Sequence, residues 1–263
     1  MTSKQVALAV TMHDPQSSML AQARQVSSVL AHCFAHMTVY ATPTSGAALR
    51  TYLADQGAQI RVQEHELKDG LRQLGGVRRE AVRLAGETGA PHIFYCDFDR
   101  VLHWAEFYPA ELATVAQQIT KFDFCVLGRT ARAFHSHPRM QVETEQIVNN
   151  VFAQVSGRQW DVLAAARGLS PAAIACIEQN CPDDTLGVDA SWPLCILRHA
   201  TLTTGYFETE GLEFETADRH GAEVDAAGGR AAWISQVDAS PRRWARRLEM
   251  AQIEVESMTG FSQ

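Results

Sequence analysis

Lysine is nearly missing from this 263-residue chain: it occurs only at Lys4, Lys68 and Lys121, so the positive charge is carried almost entirely by arginine. Arginine suits planar, two-point contact with phosphate or carboxylate, although a bias in genome composition explains the same ratio. The formal net charge of -7 argues against nucleic acid as the main partner. No cysteine pair has the CxxC spacing. The six cysteines (Cys33, Cys96, Cys125, Cys176, Cys181 and Cys195) lie mostly in apolar segments. They read as buried, reduced thiols of a cytoplasmic protein, with a Cys176–Cys181 disulfide as the alternative. No apolar run is long enough to cross a bilayer. Met1-Thr2-Ser3-Lys4-Gln5 runs straight into a strand pattern, with no signal-peptide signature. Repeats, low-complexity tracts and linker-like shifts in composition are also missing. What is left is 46% apolar, the composition of an ordinary globular protein with a substantial core, at a length that suits one large α/β domain.

The most informative stretch is His92-Ile93-Phe94-Tyr95-Cys96-Asp97-Phe98-Asp99-Arg100. It reads as a short apolar strand that ends in two carboxylates spaced i, i+2. Alternation along a strand would point Asp97 and Asp99 to one side and Phe98 to the other. Like charges so close repel unless a cation lies between them. A hard divalent ion, which bridges carboxylates to substrate phosphates, is the expected occupant.

Strand-like and helix-like segments alternate through the first half. Val6–Met12 reads as a central parallel strand, followed by a polar turn at His13-Asp14-Pro15 and a helix from about Gln16 to His32. Met37–Ala41 and Gln59–Gln63 read as strands, Ala47–Gln56 and Leu67–Gly86 as helices. This order predicts a doubly wound sheet with helices on both faces, and ligands bind beyond the carboxyl ends of such strands. His13-Asp14 and Asp97-Asp99 both fall there. The second half is less regular. Helices are expected at Glu106–Gln118, Val142–Val155, Asp161–Ala166, Ser170–Asn180 and Ala217–Ala227, and over Trp233–Ile253 with a break near Pro241. Strands are expected at Phe122–Leu127 and Pro193–Leu197. The expected organisation is a single domain, 1–263, with a nucleotide-type half (1–130) and an acceptor-type half (131–263).

Three features in this order resemble the GT-A-fold glycosyltransferases of the family 2 type, which use nucleotide-sugar donors: the strand and turn Ala9-Val10-Thr11-Met12-His13-Asp14-Pro15, the glycine-then-basic helix Gly75-Gly76-Val77-Arg78-Arg79-Glu80, and the D-x-D strand Ile93-Phe94-Tyr95-Cys96-Asp97-Phe98-Asp99. The resemblance covers the first half. It implies a mixed, doubly wound α/β sheet, and a hexosyl transfer from a nucleotide-diphosphate sugar to an acceptor that the sequence does not name. Asp97 and Asp99 would hold Mn²⁺ or Mg²⁺, with Asp97 and Phe98 among the donor contacts. Arg78 or Arg79 would face the diphosphate or sugar, Thr11 and Asp14 the nucleoside, and Arg129-Thr130-Ala131-Arg132 would lie over the donor. One departure stands out: where many members carry acidic residues after strand two, this chain reads Val39-Tyr40-Ala41-Thr42-Pro43-Thr44.

Inverting members need a carboxylate base for the acceptor hydroxyl. Asp189, between the Asp183-Asp184-Thr185-Leu186-Gly187 loop and Trp192, is the candidate; a turn cap is the plainer role. A late histidine completes the metal site in some members, and His220 is the choice here, with His135-Ser136-His137 as a rival pair. His103-Trp104 would line the sugar pocket or simply pack. Arg242-Arg243-Trp244-Ala245-Arg246-Arg247 reads as a solvated helix face, with an anionic membrane surface or acidic partner as the sharper alternative. Two other functions fit parts of the pattern. A phosphohydrolase of the haloacid-dehalogenase type would use Asp97 as nucleophile and Asp99 as acid/base. A non-catalytic sugar-nucleotide-binding protein would keep the fold without turnover.

Overall fold

The computed structural model describes residues 5–199 and 201–261. Its centre is one mixed seven-stranded sheet in the order β3-β2-β1-β4-β6-β5-β7. The strands are β1 (Val6–Met12), β2 (His36–Ala41), β3 (Gln59–Val62), β4 (His92–Asp97), β5 (Phe124–Arg129), β6 (Ala166–Leu169) and β7 (Thr204–Thr209). β1 to β4 are parallel, linked by helical crossovers. β6 runs antiparallel between β4 and β5, and β7 closes the sheet parallel to β5. Both halves of the chain therefore share one sheet.

Side-chain size along β1 decides how the two faces are covered. Leu8 and Val10 point to one face, where they meet α1 (Leu20–Cys33), α2 (Ala47–Asp55), α4 (Phe98–Phe107) and α5 (Pro109–Gln118). Ala7 and Ala9 point to the other, a shallow row on which α3 (Gly70–Gly86) lies. On that second face α7 (Arg139–Ser156), α8 (Pro171–Asn180), α9 (Val188–Arg198) and α12 (Pro241–Met258) complete the core, with Ile93, Tyr95, Phe124, Phe152, Trp192 and Ile196 at its centre. A smaller cluster of Met140, Phe214, Ala217, Trp233 and Val237 anchors the segment that includes the 3-10 turn Thr216–His220, α10 (Gly221–Ala226) and α11 (Arg230–Asp238). α6 (Ala131–His135) is a single capped turn after β5.

Several elements differ from the sequence expectation. Pro193–Leu197 belongs to helix α9, not to a strand. Val188 to Ile196 is buried all round, and such a segment carries neither a period of two nor of 3.6. Pro193 is accommodated inside that helix. Asp161–Ala166 is not helical: a loop turns at Ala165, whose φ of 50° is left-handed, and delivers β6. Glu106–Gln118 is two helices that meet at Tyr108 and Pro109. Asp99 does not share a strand with Asp97. Asp97 ends β4 and Phe98 already begins α4, so the i, i+2 alternation stops at the first carboxylate.

Candidate active site

The carboxyl ends of β1 to β4 open into a cleft of about 480 Å³, its wall including Thr11, Thr42, Gln63, Asp97, Asp99 and Arg219. Strand register builds its floor. Thr11 and Asp97 are in-register neighbours on parallel strands, so their side chains leave the same face of the sheet. The Thr11 hydroxyl donates to Asp97 Oδ1 at 2.7 Å, and Tyr95, two residues back on the same face, donates to the same oxygen at 2.9 Å. Asp97 Oδ2 faces two guanidinium groups, Arg78 at 3.7 Å and Arg100 at 4.0 Å. Burial alone would raise the Asp97 carboxyl. The charges of Arg78 and Arg100, helped by the two hydroxyls, hold it below the usual carboxylate range.

Asp99 is the opposite case. Its Oδ1 accepts the Arg100 backbone N–H at 3.0 Å, and its Oδ2 meets Arg219 at 3.1 Å. Burial, then the charges of Glu215 and Asp97, push its carboxyl up to about 6 despite Arg100 and Arg219. Glu215 is itself buried, and its Oε2 has no hydrogen-bond partner among the described residues. Glu215 Oε1 faces Arg100 at 3.6 Å, so Asp99 and Glu215 form a patch of oxygen acceptors matched in part by Arg219 and Arg100. That fits a hard divalent cation, which takes oxygen ligands. Arg219 sits at the same carboxylate and would share or yield it.

Gln63 is the third notable group. It follows β3, is buried, and lines the cleft, yet neither its Oε1 nor its Nε2 has a partner among the described residues. A buried amide without partners costs free energy, and a ligand that accepts one bond and donates another removes that cost. A larger groove of about 900 Å³ lies on the other side of Gln63 and Val77. Its cations are already matched: Arg61 to Glu87 at 2.9 Å, Arg83 to Glu80 and Glu178 at 2.5 Å each. It offers an anion little free positive charge.

The sequence candidates divide cleanly. Thr11, Asp97, Phe98 and Asp99 line the cleft. Arg78 lies behind it, buried on α3. It donates to Asp189 Oδ2 at 2.6 Å while facing Asp97, so it joins the two carboxylates. Asp189 is buried in the first turn of α9, and Arg167 also reaches it, donating to its backbone oxygen at 3.0 Å and approaching its carboxylate at 3.5 Å. Asp189 lines neither cleft nor groove.

Asp14 is turned away from a nucleoside: its carboxylate accepts the N–H groups of Ser18 and Met19 at 2.9 and 2.8 Å, tying down the start of α1. Arg79 donates to the backbone oxygens of Cys181 and Asp183 at 2.8 Å each. His220 pairs with Glu223 at 3.0 Å and stacks on Trp233, away from both cleft carboxylates. Its neighbour Arg219 is the residue that reaches Asp99. Arg129 is not over the cleft; it is buried against Glu145 and Asp161 at 2.6 and 2.7 Å, and Arg132 pairs with Glu210 and Glu213. His135 and His137 bond to backbone oxygens of α6. Trp104 is core, edge-on to Phe94. On α12, Arg246 lines the cleft, Arg247 turns inward to Gln141 and Glu145, and Leu248 is exposed.

Gln63, Arg100, Glu215 and Arg219 were not singled out from sequence. Gln63 falls at the end of an expected strand, which was its one signal. Arg219 and Glu215 lie far from D-x-D in the chain and reach it only through the fold.

No protein-family model matches the chain, and no curated protein matches it in sequence. Solved structures do match. Glucosyl-3-phosphoglycerate synthase from Mycobacterium tuberculosis aligns over 79% of this chain and 72% of its own, with a TM-score of 0.52 and 10% identity. The same enzyme in complex with Mn²⁺, uridine diphosphate and phosphoglyceric acid aligns over 91% and 80%, with a TM-score of 0.53 and 9% identity. A structure described as a mycobacterial protein aligns over 82% and 70%, at 0.53 and 10%. At such identity the likeness is one of fold: this chain has the GT-A-like fold of those proteins, a mixed sheet flanked by helices.

Proposed function

We propose that this chain is a glycosyltransferase that binds a nucleotide-diphosphate sugar in the cleft at the ends of β1 to β4. The observation that carries the reading is the meeting, in that cleft, of the Asp97/Asp99 pair with a buried, unpartnered Gln63. The fold supports it, since solved neighbours bind uridine diphosphate with Mn²⁺. UDP is therefore the first nucleotide to test.

Each residue has a physical task in this reading. Gln63, with one donor and one acceptor side to spare, bonds the edge of the nucleobase. It stands in for the acidic group that Val39–Thr44 lacks. Asp99, with Glu215 and Asp97 close by, would hold a divalent cation. Bound there, such an ion would neutralise the diphosphate and stabilise it as a leaving group. Thr11, Tyr95 and Arg78 fix Asp97 in one orientation and keep it ionised. Asp189 acts through Arg78 as a positioning residue; its burial between two guanidinium groups is unsuited to taking a proton from an acceptor. The phosphohydrolase reading needs Asp97 as a free nucleophile, and both of its oxygens already face hydroxyls or guanidinium groups.

The test is Mn²⁺-dependent release of UDP from a panel of UDP-sugars, with and without small acceptors. Turnover is expected for at least one donor. Gln63→Leu is expected to raise KM for the donor roughly tenfold or more while changing kcat little, because it removes binding shared by ground and transition states. Donor turnover with an unchanged KM in that variant would separate Gln63 from the nucleotide. Binding without turnover on every donor and acceptor would favour the non-catalytic alternative.

A further inference from the structure

On the α3 side of the sheet, α8 and α9 bring two thiols and an imidazole together, with a third thiol at the end of α8. The sulfur atoms of Cys176 and Cys195 and a ring nitrogen of His199 lie within 4.8 Å of one another. Cys181, the residue that ends α8, lies outside that group, and its thiol donates to Ser191 Oγ at 3.5 Å. All three thiols are buried and none is in a disulfide. His199 caps the C-terminal end of α9, and its ring makes no hydrogen bond to another described residue. Being half-buried, it leaves an entry from solvent. The four residues follow the frame Cys-x4-Cys-x13-Cys-x3-His.

We infer that Cys176, Cys195 and His199 are the core of a zinc site that clamps α8 to α9, with Cys181 turning from Ser191 to supply the fourth ligand. Three thiolates and one imidazole make a closed tetrahedral set of the structural kind. Soft sulfur ligands select zinc, whereas the oxygen donors of the cleft suit Mn²⁺ or Mg²⁺, so the two sites take different classes of metal. Sulfur atoms around tetrahedral zinc stand about 3.8 Å apart, given Zn–S bonds of about 2.3 Å. Closing Cys176, Cys195 and His199 around the ion therefore takes an inward shift on the order of 1 Å, and Cys181 must in addition give up its bond to Ser191. Binding releases the three thiol protons to solvent, and the neutral imidazole ligates through its lone pair. The ligands lie in the C-terminal halves of both helices or at their C-caps, where the helix dipole favours a cation. The site also has a consequence for the cleft. α9 carries Asp189 in its first turn, and Asp189 holds Arg78 beside Asp97. A zinc clamp at the far end of α9 would fix the helix that positions that pair.

Metal analysis of the chelator-washed, full-length protein tests this. About one zinc per chain is expected, released when the thiols are blocked with a mercurial. Cobalt substitution should give a thiolate-to-cobalt charge-transfer band and the strong visible bands of a tetrahedral site, which oxygen ligands do not produce. Cys195→Ser should abolish both, and His199→Ala should weaken zinc retention. Asp99→Asn in the cleft should leave zinc content and cobalt spectrum unchanged. A wild-type protein that retains no zinc and gives no cobalt–thiolate band overturns the proposal. So does a disulfide among the three cysteines in protein purified without reductant. Both decisive readings are made on the unaltered chain, so neither depends on a variant that folds.

Discussion

Asp97 and Asp99 stand two residues apart, yet burial and neighbours treat them differently. Asp97 is surrounded by two guanidinium groups and two hydroxyls, whereas Asp99 shares its surroundings with Glu215 and Asp97. The D-x-D motif lends both carboxylates the same standing; only the packing of Arg78 from α3 and Glu215 from the second half separates them. His103 makes a second residue-scale point. Burial works against its imidazolium, but hydrogen bonds to Asp218 at 2.6 Å and Glu213 at 3.2 Å prevail and raise its pKa above the ordinary value. Tyr108 and Arg132 hold Glu213 in turn, and Arg230 approaches Asp218. This knot fastens the segment carrying Arg219 to α4. A raised folded pKa means the native protein binds the proton more tightly than the unfolded chain. Its stabilisation is therefore full below the unfolded value of about 6.5 and fades as pH rises through the folded one. His103→Gln is expected to cost roughly 1–2 kcal/mol near about pH 5.5 and clearly less near about pH 8, by urea denaturation. An equal loss at both would mean His103 acts by shape alone.

At the scale of elements, α3 explains its own glycines. Gly75 lies where a Cβ would overlap the Thr185 backbone oxygen and reach Val188 Cγ1 at 2.6 Å. The next residue donates its N–H to the Asp184 oxygen at 3.1 Å. Glycine lets α3 lie against the turn that launches α9, and that contact brings Arg78 to Asp189. Gly75→Ala is expected to destabilise the protein by about 1–3 kcal/mol and to weaken donor binding through Arg78. Retained stability and affinity would show that the turn yields easily. The strand–helix alternation up to β4 was readable because each element is bounded by turns and has one buried face. β6 and α9 were not. β6 is four residues long and buried throughout, and α9 is buried on every side. The thiol cluster escaped notice for the same reason, since its cysteines looked like ordinary core.

Over the whole molecule, ion pairs run behind the cleft. Asp97, Arg78, Asp189 and Arg167 form one chain of contacts, while Asp161, Arg129, Glu145 and Arg247 form another that reaches α12. These use arginine throughout. The scarcity of lysine is matched by buried guanidinium groups that hold carboxylates in place, which is the planar pairing arginine favours. Two of these pairs, Arg78–Asp189 and Glu145–Arg247, span more than a hundred positions, and none is local enough for a sequence pattern to announce it. The most direct test of the account is calorimetric titration of UDP, with GDP and ADP alongside, into the protein with and without Mn²⁺. The account predicts Mn²⁺-dependent binding of at least one nucleotide, lost by roughly tenfold or more in Asp99→Asn and weakened in Gln63→Leu. Absence of any metal-dependent nucleotide binding, or binding unchanged in Asp99→Asn, would contradict it.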